Sequence, residues 1–159
     1  MKTSKRNIFP ILYFLATVAL SIFFFRNELT RFPQAIHAWA QADRYAIALK
    51  FTENGFDFFH PQSFCLNPSW AAEKPLVNPQ GITDVDFPIH EYNAAWLMKI
   101  FQTKSVAVYK LYILFLGLLS LFFLYRIYNL LGGNMLFSIF IPVFVLTSPV
   151  YNYYITGFL

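Results

Sequence analysis

The sequence predicts an all-α polytopic membrane protein, with three transmembrane helices and a large external loop containing two interfacial amphipathic helices. Composition is the first observation behind this. The 159 residues are 57% apolar and 21% aromatic but only 13% charged, about half the charged share of an ordinary soluble domain. Second, twenty Phe and ten Tyr are more than one small core can hide. Third, the apolar residues gather into three runs, with one long mixed segment between the first two. A soluble enzyme, a disordered tail and a disulfide-rich secreted module are excluded. The single cysteine, Cys65, forms no internal bridge.

Residues 1–25 form the first unit. Lys2, Lys5 and Arg6 precede an uncharged run from Ile8 to Phe25, closed by Arg26. About 18 residues at 1.5 Å each reach roughly 27 Å, enough for a hydrocarbon core. A secretory signal peptide shares the basic start, but Phe23, Phe24, Phe25 and Arg26 stand where a small-residue cleavage site belongs. The run is read as a retained helix.

Residues 106–131 form the second span. Lys110 and Arg126 flank its apolar centre, Leu111 to Tyr125, and are placed to snorkel toward the interfaces. Gly132, Gly133 and Asn134 make a short turn. The third run, Met135 to Leu159, carries Pro142 and Pro149, which membrane helices with neighbours tolerate. All eight Asp and Glu fall between Glu28 and Glu91, whereas Lys2, Lys5, Arg6 and Arg126 lie at the opposite ends of the spans. The positive-inside rule therefore expects a cytoplasmic N-terminus and turn, with residues 26–105 outside.

That external segment of roughly 80 residues is too long for a passive connector, since structureless loops beyond about 15 residues are uncommon. From Ile36 to Asn54 the spacing is helical: Trp39, Ala42, Ala46 and Leu49 make one stripe, with Tyr45 beside it. Asn54-Gly55 is a stop signal. Pro61, Pro68, Pro75 and Pro79 mark an ordered loop from Phe56 to Gly81. A second helix begins at Pro88, with Asp86 just ahead of it. It carries Tyr92, Trp96 and Lys99 on a surface suited to the interface.

Chemistry-bearing residues cluster in this segment, in Gln41-Ala42-Asp43-Arg44-Tyr45-Ala46, Gly55-Phe56-Asp57-Phe58-Phe59-His60-Pro61, and Asp84-Val85-Asp86-Phe87-Pro88-Ile89-His90-Glu91-Tyr92. Each also has a purely structural reading. Asp43 and Arg44 suit a solvated helix face, and Asp84 and Asp86 suit a helix N-terminus. Trp39, Trp70 and Trp96 suit interfacial anchoring. No HExxH or Cys/His spacing supports a metal site at His60 or His90, and Gly132-Gly133 lacks the Lys of a phosphate loop. The basic residues form no nucleic-acid patch.

With Asp43-Arg44-Tyr45-Ala46, Gly55-Phe56-Asp57-Phe58 and Asp86-Phe87-Pro88 in this order after a first membrane helix, the chain resembles the GT-C fold glycosyltransferases. That group includes the protein O-mannosyltransferases and the lipid A aminoarabinose transferases. Arg44 stands where the family commonly has Glu, and such enzymes have many more spans than three. The resemblance implies the N-terminal portion of an inverting enzyme, inactive by itself, in a bacterial inner membrane or the endoplasmic reticulum. It would move a sugar from a polyprenyl-phosphate carrier to an acceptor glycan, lipid or protein at the external face.

An acceptor hydroxyl needs a base as the lipid phosphate leaves. Asp43 is the expected base, partly desolvated by Trp39 and Ile47 one turn away on either side, because burial strengthens a carboxylate as a base. Asp86 is the second acid, holding the acceptor or a divalent cation. Arg44, Lys74 and Lys99 are expected to neutralise the phosphate, although the family's principal phosphate ligands lie further along the chain. Tyr45 and Glu91 complete the expected substrate-binding set. The rival readings are a complete three-span scaffold and a transporter fragment, the latter disfavoured by the lack of an intramembrane acid in the second and third runs.

Overall fold

The computed structural model describes residues 8–32, 37–65 and 80–157. Among these the architecture is all-helical: α1 Phe9–Leu29, α2 Ala38–Glu53, α3 Ile89–Ile100, α4 Val106–Leu130, α5 Met135–Leu146 and α6 Pro149–Ile155. Two of these helices, α1 and α4, are long and apolar enough to cross a bilayer, and α5 with α6 makes a third if the bent pair counts as one span. The fold is thus that of an integral membrane protein with two or three crossings.

α1 runs four residues beyond the expected Phe25, because Arg26 does not interrupt it; its guanidinium lies over the Phe23 ring at 5.0 Å. α1 and α4 pack antiparallel. Tyr13 meets Tyr125 at 5.0 Å and Phe14 meets Phe122 at 5.1 Å between ring centroids. At the other end Lys110 donates to the Glu28 carbonyl at 2.8 Å. Lys110 is 4% exposed, so it does not snorkel. It adds a charged donor to a carbonyl in the last turn of α1 that otherwise accepts only from the turn residues Thr30 and Arg31, where a cation also meets the negative end of the helix dipole.

The expected third helix is not continuous. α5 and α6 meet at a 73° bend, because Pro149 offers no N–H and forces Ser148 into extended backbone, φ −68° and ψ 123°. Pro142 lies inside α5 without breaking it. α6 lies against α4 at Gly117, where Tyr151 donates to the Gly117 carbonyl at 2.7 Å. Leu29, Leu114, Leu118, Leu121 and Ile155 form the core of this half.

α2 and α3 pack on one another and on the first turns of α4, burying Tyr45, Ala48, Ala94, Met98, Val106, Tyr109 and Ile113. Ala48, Ala94 and Ala95 are fully buried and let the helix backbones approach closely. This is why the expected stripe of α2 is not its buried face. Trp39 is 73% exposed and Ala42 is exposed, whereas Tyr45, Ile47, Ala48 and Phe51 are buried. The close approach selects the small residues and turns Trp39 outward. α6 reaches this unit too: Gln41 Nε2 donates to the Tyr153 hydroxyl at 2.9 Å.

Gly117 leaves no room for a side chain, since a Cβ there would come within 2.7 Å of Ile155 Cγ2. Gly117→Val is expected to cost about 1–3 kcal/mol by overpacking, read as a lower Tm in detergent. Ile155→Ala in the same chain should recover most of the loss.

Candidate functional site

Beyond α2 the chain turns at Asn54, Gly55 and Phe56. The last two have positive φ, 72° and 65°, and the Asn54 side chain bonds to Gln62. Residues 61–63 then pair antiparallel with 81–83. Ser63 N donates to the Gly81 carbonyl at 2.8 Å, and Thr83 N to the Pro61 carbonyl at 2.9 Å. This short pairing sets residues 83–86 beside the outer face of α2. Between them lies a cleft of about 400 Å³, lined by Asp43, Arg44 and Ile47 from one side and by Ser63, Thr83, Asp84 and Asp86 from the other.

Asp43 and Asp86 therefore share one cleft, and both are exposed in it. The expected partial desolvation of Asp43 is absent: Asp43 is exposed, Trp39 lines the same cleft but is itself 73% exposed, and only Ile47 of the two neighbours is buried. Arg44 lines the same cleft while its Nη1 bonds Glu91 Oε1 at 2.9 Å; the Arg44 side chain is 31% exposed and that of Glu91 2%. Glu91 is not among the lining residues. It sits in the first turn of α3, beneath Arg44 and beside fully buried Tyr109, whose hydroxyl bonds its side chain. Its second oxygen, Oε2, is buried with no hydrogen-bond partner among the described residues.

The remaining expected residues lie elsewhere. Tyr45 is 8% exposed and belongs to the core; its hydroxyl donates to the Lys104 carbonyl, and burial raises its phenol above the usual range. Lys99 lies over the Phe56 and Trp96 rings at 4.8 and 5.0 Å, outside the cleft lining. Lys74 and Trp70 lie outside the described residues. Sequence reasoning missed Tyr109, whose position in an apolar span disguised its contact with an acid. It also missed Ser63 and Thr83, which no motif marks. Among the described residues no three His, Cys, Asp or Glu side chains converge as a metal site.

The arrangement offers hydrogen-bonding carboxylates and one guanidinium around an open volume suited to a small polar ligand. Comparisons of the chain with known protein families, with curated proteins and with solved structures give no match.

Arg44→Ala leaves the Glu91 charge buried and unpaired. The expected cost is about 2–3 kcal/mol, below the full range for a buried pair because Arg44 still meets water. Glu91→Gln in the same chain should restore part of the lost Tm. Tyr45→Phe is expected to cost about 1 kcal/mol through the lost bond to the Lys104 carbonyl. Because the folded Tyr45 phenol holds its proton more tightly than the unfolded one, its stabilisation is complete below pH 10 and is lost as pH rises past it. Thermal melts from pH 8 to 11 should therefore fall less steeply for Tyr45→Phe than for the parent.

Proposed function

We propose that this chain is the N-terminal part of a GT-C-type glycosyltransferase, moving a sugar from a polyprenyl-phosphate carrier to an acceptor at the external face of a bacterial inner membrane. In this reading the N-terminus is cytoplasmic, and α2 and α3 lie in the external segment against the membrane surface. What carries the reading is that Asp43 and Asp86, far apart in sequence, line one cleft. They belong to two of the motifs on which the resemblance rests.

The chemistry assigned to them is inverting displacement. The acceptor oxygen forms a bond to the anomeric carbon while the bond from that carbon to the phosphate oxygen breaks. The phosphate departs with the electron pair, and Asp43 takes the acceptor proton. Asp86 orients the acceptor by accepting hydrogen bonds from its other donor groups. Bound acceptor would exclude water from Asp43.

The test is the native, membrane-extracted protein assayed with polyprenyl-phosphate sugars. Asp43→Asn should lower transfer by about 10²-fold or more while expression and membrane insertion persist. Unchanged transfer would remove Asp43 from the base role. The intact mass of the native species bears on the same reading: a value well above 18.6 kDa fits a many-span enzyme. A native species of 18.6 kDa would favour the three-span scaffold instead.

A further inference from the structure

Among the described residues Arg44 is the one cation in the lining of the cleft, yet its charge is already engaged. Its Nη1 lies 2.9 Å from a carboxylate that is 2% exposed. Water reaches Arg44 but not Glu91, so the attraction exceeds that between two surface groups while falling short of a fully buried pair. Glu91 Oε2 finds no hydrogen-bond partner among the described residues; Tyr109 also bonds the Glu91 side chain, but Arg44 supplies the opposite charge that balances it. The carboxylates of Asp43, Asp84 and Asp86 surround the same opening. A dianion approaching Arg44 would meet three carboxylates in front of the guanidinium and a fourth behind it. A hydroxyl or an amine would instead find acceptors on both walls.

We infer that Glu91 sets the charge selectivity of the cleft: by taking up the charge of Arg44 from beneath, it makes the cleft a site for the acceptor, as a neutral polyol or an amine, and not for the carrier phosphate. This rests on the glycosyltransferase reading. It reverses the expectation that Arg44 neutralises the leaving group. Glu91 is a positioning residue here, acting through Arg44 without touching the ligand.

The experiment uses the native protein in detergent, with inorganic phosphate and polyprenyl phosphate as probes in equilibrium binding. Glu91→Gln keeps the shape and a hydrogen bond to Arg44 but removes the charge. It should raise affinity for inorganic phosphate about tenfold or more. Adding Arg44→Gln should abolish that gain, while the double variant should bind polyprenyl phosphate as tightly as the parent. The Gln–Gln pair is neutral and can hydrogen bond, so the double variant avoids an unpaired buried charge.

An unchanged or weaker phosphate affinity in Glu91→Gln would overturn the inference. So would weaker polyprenyl phosphate binding in the double variant, since that would make Arg44 a ligand of the carrier. These binding readouts are independent of transfer. Failure of Asp43→Asn to affect transfer would strike the glycosyltransferase reading, while failure of the binding predictions would strike the role of Glu91 alone.

Discussion

The Arg44–Glu91 pair is the constraint on which the arrangement of the cleft depends. A carboxylate this deeply buried is tolerable only with a partner held in place, and the partner must come from α2. The requirement fixes the rotation of α2 against α3: Arg44 points toward the first turn of α3, Tyr45 enters the core, and Asp43 is left on the open side. The contact of Ala48, Ala94 and Ala95 supplies the close approach that brings the guanidinium within reach. Apolar packing and ion pairing thus select the same register. The orientation of Asp43 in the cleft follows from a bond its neighbour makes.

The membrane-spanning half obeys a different version of the same rule. Where water is scarce, each polar group needs a partner within the protein, and this half meets much of that demand at helix ends and at the bend, with Asn152 Oδ1 of α6 left buried and without a hydrogen-bond partner among the described residues. Lys110 satisfies a carbonyl at the end of α1, and Tyr151 bonds the Gly117 carbonyl of α4. Tyr153 carries the connection from α6 to Gln41 at the start of α2. The bend at Ser148 is what makes this last bond available. It directs the α6 helix toward α2, so the cleft-forming helix is anchored at its first turn by the broken span.

The features legible in the sequence were those with a long period or a strong local signal. The apolar runs of α1 and α4, the stop at Asn54-Gly55 and the start of α3 after Pro88 all fall close to the observed boundaries. Helical spacing identified α2 but not its buried face, because Trp39 outweighs alanine in any hydrophobic pattern while close helix packing selects alanine. Lys110 read as a snorkelling residue because its partner is a main-chain carbonyl distant in sequence, which no pattern of side chains encodes. Pro149 was visible, but whether a proline bends or ends a span is settled by what packs around it. Within the site, Asp43, Arg44 and Asp86 were legible as motif members. The burial of Glu91 and Tyr45 was not, since both depend on where α4 lies.

The charge of the cleft and the stereochemistry of inversion point in one direction. In an inverting displacement the attacking oxygen and the departing phosphate lie on opposite faces of the anomeric carbon. A base that accepts the nucleophile's proton therefore stands on the side away from the leaving group. If Asp43 is that base, its cleft is the place for the acceptor, and nothing in the reaction requires a phosphate ligand beside it. An arginine next to the base then needs another explanation, and Glu91 provides one. Arg44 is held there by a buried acid whose charge it balances, and on the proposed reading the same bond that orders α2 against α3 would keep the guanidinium from attracting the carrier into the acceptor's place.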